Sequence, residues 1–126
     1  SIAAFAPTSN EFAVLYGPVK TFMNRFVEAI NSAYNKDNIY ATSVCPGFTT
    51  TEFHEMSGTQ DRMDKVPSFM KMSSDDVAKE GILGMDRKKE IVITGALNRF
   101  LINLLRFFPR PLIKIIGNAL AGGRYK

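Results

Sequence analysis

Cysteine and histidine are scarce in this sequence of 126 residues, which contains one of each, Cys45 and His54. A single cysteine excludes a disulfide bond within the chain and favours a reducing compartment, so we expect a cytoplasmic location. His54 has no cysteine or acidic cluster around it at the spacing of metal ligands, and we expect no metal site. Cys45 ends a β-branched segment, where we expect a small buried core residue and not a nucleophile.

Long apolar runs and an N-terminal leader are also missing. No run of about 18 uninterrupted apolar residues occurs, which argues against a membrane-spanning helix. Residues 1–7 contain neither an initiator methionine nor the basic region of a signal peptide. We therefore expect a piece of a longer chain, and any contact with a membrane would be peripheral.

The composition is that of a folded domain. Hydrophobic residues make up 45% of the sequence, which argues against disorder. The length allows one domain with a single core. The net charge is +4, and because the excess lies largely in the last third, it predicts a local basic patch and not a general field.

The order of periodic segments predicts an α/β fold. Apolar residues at helical spacing predict a long amphipathic helix that ends near Tyr34, with Ser9 or Asn10 as its cap. The β-branched run over 39–45 predicts a buried strand closed by Pro46-Gly47. A helix, a tight turn and a buried strand are half of an α/β crossover unit.

The second half of the chain continues this alternation. Residues 48–72 predict an irregular segment, and a segment of that length is more often a functional lid than a plain connection. The elements predicted after it are a helix opened by Ser73 or Ser74 and ending near Met85, a strand over 90–94, and helices over 97–108 and 112–120.

The pentapeptide Tyr16-Gly17-Pro18-Val19-Lys20 has the clearest chemical use. Residues four apart on a helix project from the same face, so the Tyr16 phenol and the Lys20 ammonium are neighbours. A neighbouring ammonium favours the ionised form of a phenol, which can then give or take a proton near neutral pH. Carbonyl reduction and alcohol oxidation need such a group. The spacing alone also fits an ordinary helix face with a solvated lysine.

The full order of features resembles the C-terminal half of the short-chain dehydrogenase/reductase family. The residues that carry the resemblance are Ser1 with the small residues after it, the Tyr-x-x-x-Lys motif of 16–20, and the Cys-Pro-Gly-Phe-Thr-Thr-Thr-Glu-Phe run of 45–53. The resemblance covers residues 1–95. It implies part of a Rossmann-like, doubly wound sheet, followed by a tail of basic amphipathic helices over 96–126.

The resemblance also implies the catalytic residues. Tyr16 looks like the acid/base that exchanges a proton with the substrate oxygen, and Lys20 looks like its activator and a ligand of the nicotinamide ribose. Ser1 looks like the serine that hydrogen-bonds the substrate oxygen. Ser1 precedes Tyr16 by 15 positions, whereas the family spacing is about a dozen, so Ser9 is an alternative.

For the cofactor, NAD or NADP, the resemblance points to the turn after the strand. Pro46 and Gly47 would approach the nicotinamide, Thr49 would bind the carboxamide, and Thr51 the carboxamide or the pyrophosphate. The alternative is a Thr-rich turn that opens a helix. No Gly-x-x-x-Gly-x-Gly phosphate-binding pattern follows a strand here, so the activity is expected of the full-length protein and not of these 126 residues alone.

Two expectations concern partners. An incomplete sheet would leave a strand edge and an apolar helix face uncovered, which predicts a homo-oligomer or contact with the missing N-terminal half. The substrate would be a small carbonyl compound or alcohol. The irregular segment is rich in methionine and phenylalanine, which would suit an apolar substrate. Routine packing of the segment on the sheet would explain these residues equally well. They are Phe53, Met56, Met63, Phe69, Met70 and Met72.

The tail over 96–126 supports an alternative function. The sequence predicts an apolar stripe on one side of a helix and polar or basic residues on the opposite side. The stripe consists of Leu97, Leu101, Leu104, Leu105 and Phe108, and the opposite side of Asn98, Arg99, Asn103 and Arg106. Such a segment suits a non-catalytic domain that binds a membrane surface or a protein partner. Packing of the stripe on the domain or on a second subunit is the simpler interpretation. Nucleic-acid binding is not expected, because no aromatic stacking platform accompanies the basic residues.

Overall fold

The computed structural model describes residues 1–6, 14–51, 64–109, 111–113 and 115. The fold is mixed α/β with parallel strands, as the sequence predicts. Its helices are α1 (Tyr16–Tyr34), α2 (Ser74–Asp86) and α3 (Ala96–Leu105), its strands are β1 (Ser43–Cys45), β2 (Phe48–Thr50), β3 (Lys71–Ser73) and β4 (Ile91–Ile93), and short 3₁₀ turns cover Ile2–Ala4, Asn35–Asp37 and Ser68–Met70.

The strands form two parallel pairs. In the first, β1 lies beside β4 with Val44 opposite Val92, and α2 lies in the connection between them, as parallel strands require. In the second, β2 lies beside β3 with Thr49 opposite Met72. The prediction of an irregular segment over 48–72 is therefore wrong at both of its ends. Residues 52–63 lie outside the described part of the chain.

Helix α1 packs on β1 through polar side chains. Asn24 is buried, and its Oδ1 accepts hydrogen bonds from Ser43 Oγ at 2.6 Å and from the Cys45 thiol at 3.5 Å. Two turns beyond, Asn31 Oδ1 accepts from the backbone N–H of Ala41 at 2.7 Å, and Asn31 Nδ2 donates to the Ala41 carbonyl at 3.0 Å. Cys45 is fully buried, which confirms its expected place in the core.

Helix α2 packs on the opposite face of the same strands. Side chains alternate between the two faces of a strand, so Val44 points away from the face that Cys45 occupies. Gly81 and Gly84 of α2 lie directly against Val44 and Val92, and a Cβ added at Gly84 would overlap the Val92 side chain. The β1–α2–β4 unit thus has a helix on each face of its sheet.

Most of the large apolar residues of α1 lie on its outward face. The buried residues of this helix are Gly17, Asn24 and Asn31, one every seven positions. The exposed residues recur at the usual three- and four-residue intervals and include Val19, Phe22, Met23 and Phe26. The expected uncovered helix face is confirmed, and within the described residues β1 pairs with β4 alone, so a strand edge is uncovered as well.

The start of α1 differs from the prediction. The helix begins at Tyr16, and Leu15 is its N-cap residue without a capping side chain. The predicted caps, Ser9 and Asn10, lie outside the described residues. Pro18 is the third residue of the helix, where its missing N–H costs little, as expected.

The other boundaries are close to those predicted. Ser73 is the N-cap of α2, and its Oγ accepts a 3.1 Å hydrogen bond from the backbone N–H of Asp76. Both strands of the first pair are shorter than the predicted 39–45 and 90–94. Most of the helix predicted over 112–120 lies outside the described residues.

Helix α3 joins the rest of the fold through its polar side. Asn98 and Ile102 are its buried residues. Glu80 of α2 accepts hydrogen bonds from the backbone N–H of Gly95 at 3.1 Å and from the Arg99 guanidinium at 2.6 Å, so it holds the first turn of α3. In the described part of the chain, no helix has the length and apolarity to cross a membrane.

Candidate functional site

The N-terminal turn lies against the end of β1. Ser1 opens the 3₁₀ turn Ile2–Ala4, and its Oγ accepts a 3.2 Å hydrogen bond from the backbone N–H of Ala3. The backbone N–H of Ile2 donates to the Pro46 carbonyl at 2.9 Å. This bond fixes the segment of Ser1 beside the Pro46-Gly47 turn, although α1 and β1 lie between these two segments in the sequence.

The same turn also contacts the first turns of α1. The Thr21 hydroxyl lies 2.9 Å from the Ala4 carbonyl and 3.0 Å from the Gly17 carbonyl, so its single proton can serve either one. The segments of Ser1, of the Tyr-Lys motif and of Pro46 are therefore linked to one another at the carboxyl end of β1. In open α/β sheets, ligands bind at the carboxyl ends of the strands.

Tyr16 and Lys20 lie on one face of α1, as their spacing predicts. Lys20 Nζ is 5.5 Å from the centroid of the Tyr16 ring, within cation–π range. Tyr16 is 53% exposed, and Lys20 is half-buried. A phenol and an ammonium that face outward together can bind a polar ligand and exchange a proton with it.

Three of the residues assigned to cofactor binding line a cavity on the α2 face of the sheet. Pro46, Thr49 and Thr51 contribute to a space of about 530 Å³. The wall that α2 supplies is mostly apolar and consists of Ser74, Val77, Ala78, Gly81, Ile82 and Met85. Ser1, Tyr16 and Lys20 do not line this cavity. Pro46 lines the cavity and also accepts the hydrogen bond from Ile2, so it connects the cavity to the segment of Ser1.

Gly47 is in contact with a residue that the sequence analysis did not select. A Cβ at Gly47 would lie 2.6 Å from Nδ2 of Asn98, which is buried and donates a 2.8 Å hydrogen bond to the Thr94 carbonyl. The space beside this glycine is thus filled by an amide side chain. Asn98 is one of several polar residues of α3, and nothing local in the sequence pairs it with a glycine so far away.

The end of β4 holds an unused polar group. The Thr94 side chain is fully buried, and its Oγ1 has no hydrogen-bond partner among the described residues. The Thr94 backbone N–H donates to the Cys45 carbonyl at 3.3 Å, which places the hydroxyl at the carboxyl end of the sheet. Buried hydroxyl groups without a partner are uncommon in folded proteins.

Other predicted features fall partly outside the described residues. His54, Phe53, Met56 and Met63 lie outside, whereas Phe69 is exposed and the pair Met70 and Met72 is half-buried. In the part of the chain that the structure describes, no group of three or more His, Cys, Asp or Glu side chains could hold a metal ion. No protein-family model matches the chain, and neither does any curated protein or solved structure.

Proposed function

We propose that the complete protein is an oxidoreductase of the short-chain dehydrogenase/reductase type, which interconverts a carbonyl compound and an alcohol with NAD or NADP. The observation that carries the proposal is the hydrogen bond from Ile2 to Pro46. It supports a common site for three sequence motifs of that family, those of Ser1, of Tyr16 with Lys20, and of Pro46-Gly47.

Each side chain has a proposed role in the reaction. The Ser1 hydroxyl donates a hydrogen bond to the substrate oxygen and orients it. The Tyr16 phenol gives a proton to that oxygen during reduction and takes it back during oxidation. The Lys20 ammonium stabilises the phenolate that remains and binds the ribose of the nucleotide.

The residues present fit the nicotinamide end of such a cofactor. When bound, the nicotinamide supplies or accepts the hydride at the substrate carbon. Thr49 and Thr51 offer hydroxyl and backbone groups for the carboxamide and the pyrophosphate, beside a cavity that has room for a ligand. Since the 126 residues contain no Gly-rich phosphate-binding turn, we assign the activity to the full-length protein and leave NAD and NADP as alternatives.

The finer fold assignment and the partners belong to the same proposal. A parallel β1–α2–β4 unit with a helix on each face supports the C-terminal part of a Rossmann-like, doubly wound sheet. The outward apolar face of α1 supports contact with the N-terminal half or with a second copy. We also predict a cytoplasmic location and an apolar substrate.

A pair of tyrosines on one helix provides the test. Tyr16 and Tyr34 stand at the two ends of α1 and are 53% and 51% exposed. In the full-length protein, we expect Tyr16→Phe to lower the coenzyme-dependent turnover of carbonyl compounds by about 10²–10⁴-fold, because it removes the proton donor. Tyr34→Phe should leave turnover unchanged. Equal turnover in the two variants would exclude Tyr16 as the acid/base.

A further inference from the structure

Helix α3 and the turn that follows it present a continuous apolar surface. We call it the α3 stripe; it consists of Leu97, Phe100, Leu101, Leu104, Phe107 and Phe108. Its four helical members recur at intervals of three and four residues and therefore share one side of the helix. Phe107 and Phe108 belong to the turn that follows the helix. All of them are exposed, and the two most exposed phenylalanines, Phe100 and Phe107, are 63% and 86% accessible.

The outward direction of the α3 stripe is fixed by contacts on other sides of the helix. Asn98 and Ile102 are buried, and Asn98 donates to the Thr94 carbonyl. The Arg99 guanidinium donates to Glu80 at 2.6 Å and to the Ile93 carbonyl at 3.1 Å. The helix thus packs with a mainly polar side inward. In the described part of the chain, the α3 stripe is not covered by the domain, whereas Leu105, which the sequence analysis also assigned to the apolar side, is half-buried.

Positive charge gathers beside the α3 stripe. A cavity of about 550 Å³ between α2, β4 and α3 is lined by four cationic side chains, those of Arg87, Lys89, Arg99 and Arg106. Among the described residues, Glu80 is the one carboxylate that lines it, and it already accepts hydrogen bonds from Gly95 and Arg99. The cavity therefore has an excess of cations on the side of α3 that carries Arg99 and Arg106.

The sequence shows the same asymmetry on a larger scale. Six of the 16 Lys and Arg residues and none of the 12 Asp and Glu residues lie in the segment 96–126. This segment carries a charge of +6, whereas the rest of the chain carries −2. A surface that is both apolar and strongly cationic matches a partner that is both apolar and anionic.

We propose that the α3 stripe binds the surface of an anionic lipid membrane, with its aromatic side chains in the headgroup and acyl boundary and the neighbouring cations against lipid phosphates. An amphipathic helix with phenylalanine and leucine on one side and arginine beside it binds membranes in this way. A second copy of the chain is a poor occupant, because it would bring two segments of charge +6 together. The proposal does not depend on the oxidoreductase activity.

Flotation with lipid vesicles tests the proposal on the full chain as its gene encodes it. We expect the protein to float with vesicles of phosphatidylcholine and phosphatidylglycerol, and about tenfold less with phosphatidylcholine alone or in high salt. The double variant Phe100→Ser, Phe107→Ser should lose most of this binding. Its matched control is Phe22→Ser, Phe26→Ser, which changes two phenylalanines on the α1 face that we propose contacts the N-terminal half or a second copy. When circular dichroism shows that this variant is folded, it should float like the unsubstituted protein.

Tryptophan substitutions test the same proposal with variants that keep a large aromatic side chain and should fold like the unsubstituted protein. These 126 residues contain no tryptophan, so Phe107→Trp places a reporter on the α3 stripe and Phe22→Trp places one on α1. After subtraction of the emission of the unsubstituted protein, we expect the fluorescence of Phe107→Trp to shift to the blue when anionic vesicles are added. The fluorescence of Phe22→Trp should stay constant.

Three results would overturn the proposal. These are equal flotation with neutral and anionic vesicles, equal loss in the two phenylalanine pairs, and no blue shift at position 107. A dimer that forms in solution and dissociates on Phe107→Ser would show instead that a second copy covers the α3 stripe. Carbonyl turnover, measured on the same samples, distinguishes a failure of this proposal from a failure of the oxidoreductase assignment.

Discussion

The backbone N–H of Ile2 and the carbonyl oxygen of Pro46 are joined by a 2.9 Å hydrogen bond. It connects the N-terminal turn to the residue that follows β1, and the Thr21 hydroxyl connects the same turn to the first turns of α1. Two bonds therefore determine where Ser1 lies relative to Tyr16 and to the Pro46-Gly47 turn. The proposed chemistry needs this arrangement in addition to the Tyr16 hydroxyl.

Thr21→Val should impair the proposed reaction without a large loss of stability. Valine has the shape of threonine but cannot donate to the Ala4 carbonyl, so the Ser1 segment loses its bond to α1. We expect kcat/KM of the full-length protein to fall about tenfold, since small misplacements of reacting groups are costly. Thr21→Ser keeps the hydroxyl and should retain most of the activity. Equal activity in the valine and serine variants would mean that Thr21 does not position the segment.

Gly84→Ala should destabilise the β1–α2–β4 unit. The new methyl group would overlap Val92, and overpacking of this kind costs about 1–3 kcal/mol, more than the ~1 kcal/mol that alanine contributes within a helix. We therefore expect a lower free energy of unfolding in urea titrations of the full-length protein.

Two further variants make the Gly84 prediction specific. At Gly81, the nearest atom to an added Cβ is Val44 Cγ2 at 3.0 Å, and Val44 is 37% exposed and can turn away. Gly81→Ala should therefore change stability less than Gly84→Ala. Adding Val92→Ala to Gly84→Ala should cost less than the sum of the single changes. An additive result would mean that the two residues are not in contact.

Ser73→Ala should shorten or destabilise α2. The Ser73 hydroxyl accepts from the Asp76 backbone N–H and also donates to the Asp76 carboxylate at 2.8 Å. Loss of such a cap costs about 0.5–2 kcal/mol. Ser74 is the first residue of the helix proper, and Ser74→Ala should change the free energy of unfolding by less than about 0.5 kcal/mol. A larger loss of stability in Ser74→Ala than in Ser73→Ala would mean that Ser74 is the cap.

Local patterns predicted much of this fold. The helix that ends at Tyr34, the strand that ends at Cys45 and the helix near Ser73 follow from apolar periodicity, a β-branched run and a capping sequence. The sequence left Ser73 and Ser74 as alternative caps because both are followed by acidic residues. The geometry resolves this: Ser73 has the extended backbone of a cap, and Ser74 is helical.

The inward sides of the helices were harder to predict. A hydrophobic periodicity shows that a helix has two unlike sides but not which side meets the sheet. In α1, Asn24 and Asn31 face inward because strand residues offer them hydrogen bonds, and the phenylalanines face outward. In α3, Asn98 fits beside Gly47 in the same way. Such pairings join residues far apart in sequence, so no local pattern reports them.

Isotope transfer tests the central claim most directly. The full-length protein would be incubated with NADH or NADPH deuterated at the reactive C4 position and a panel of carbonyl compounds, and the alcohols analysed by mass spectrometry. The account predicts deuterium at the carbinol carbon, with transfer slowed about 10²–10⁴-fold in Tyr16→Phe. Absence of transfer from both coenzymes to every carbonyl compound, or an unchanged rate in Tyr16→Phe, would contradict it.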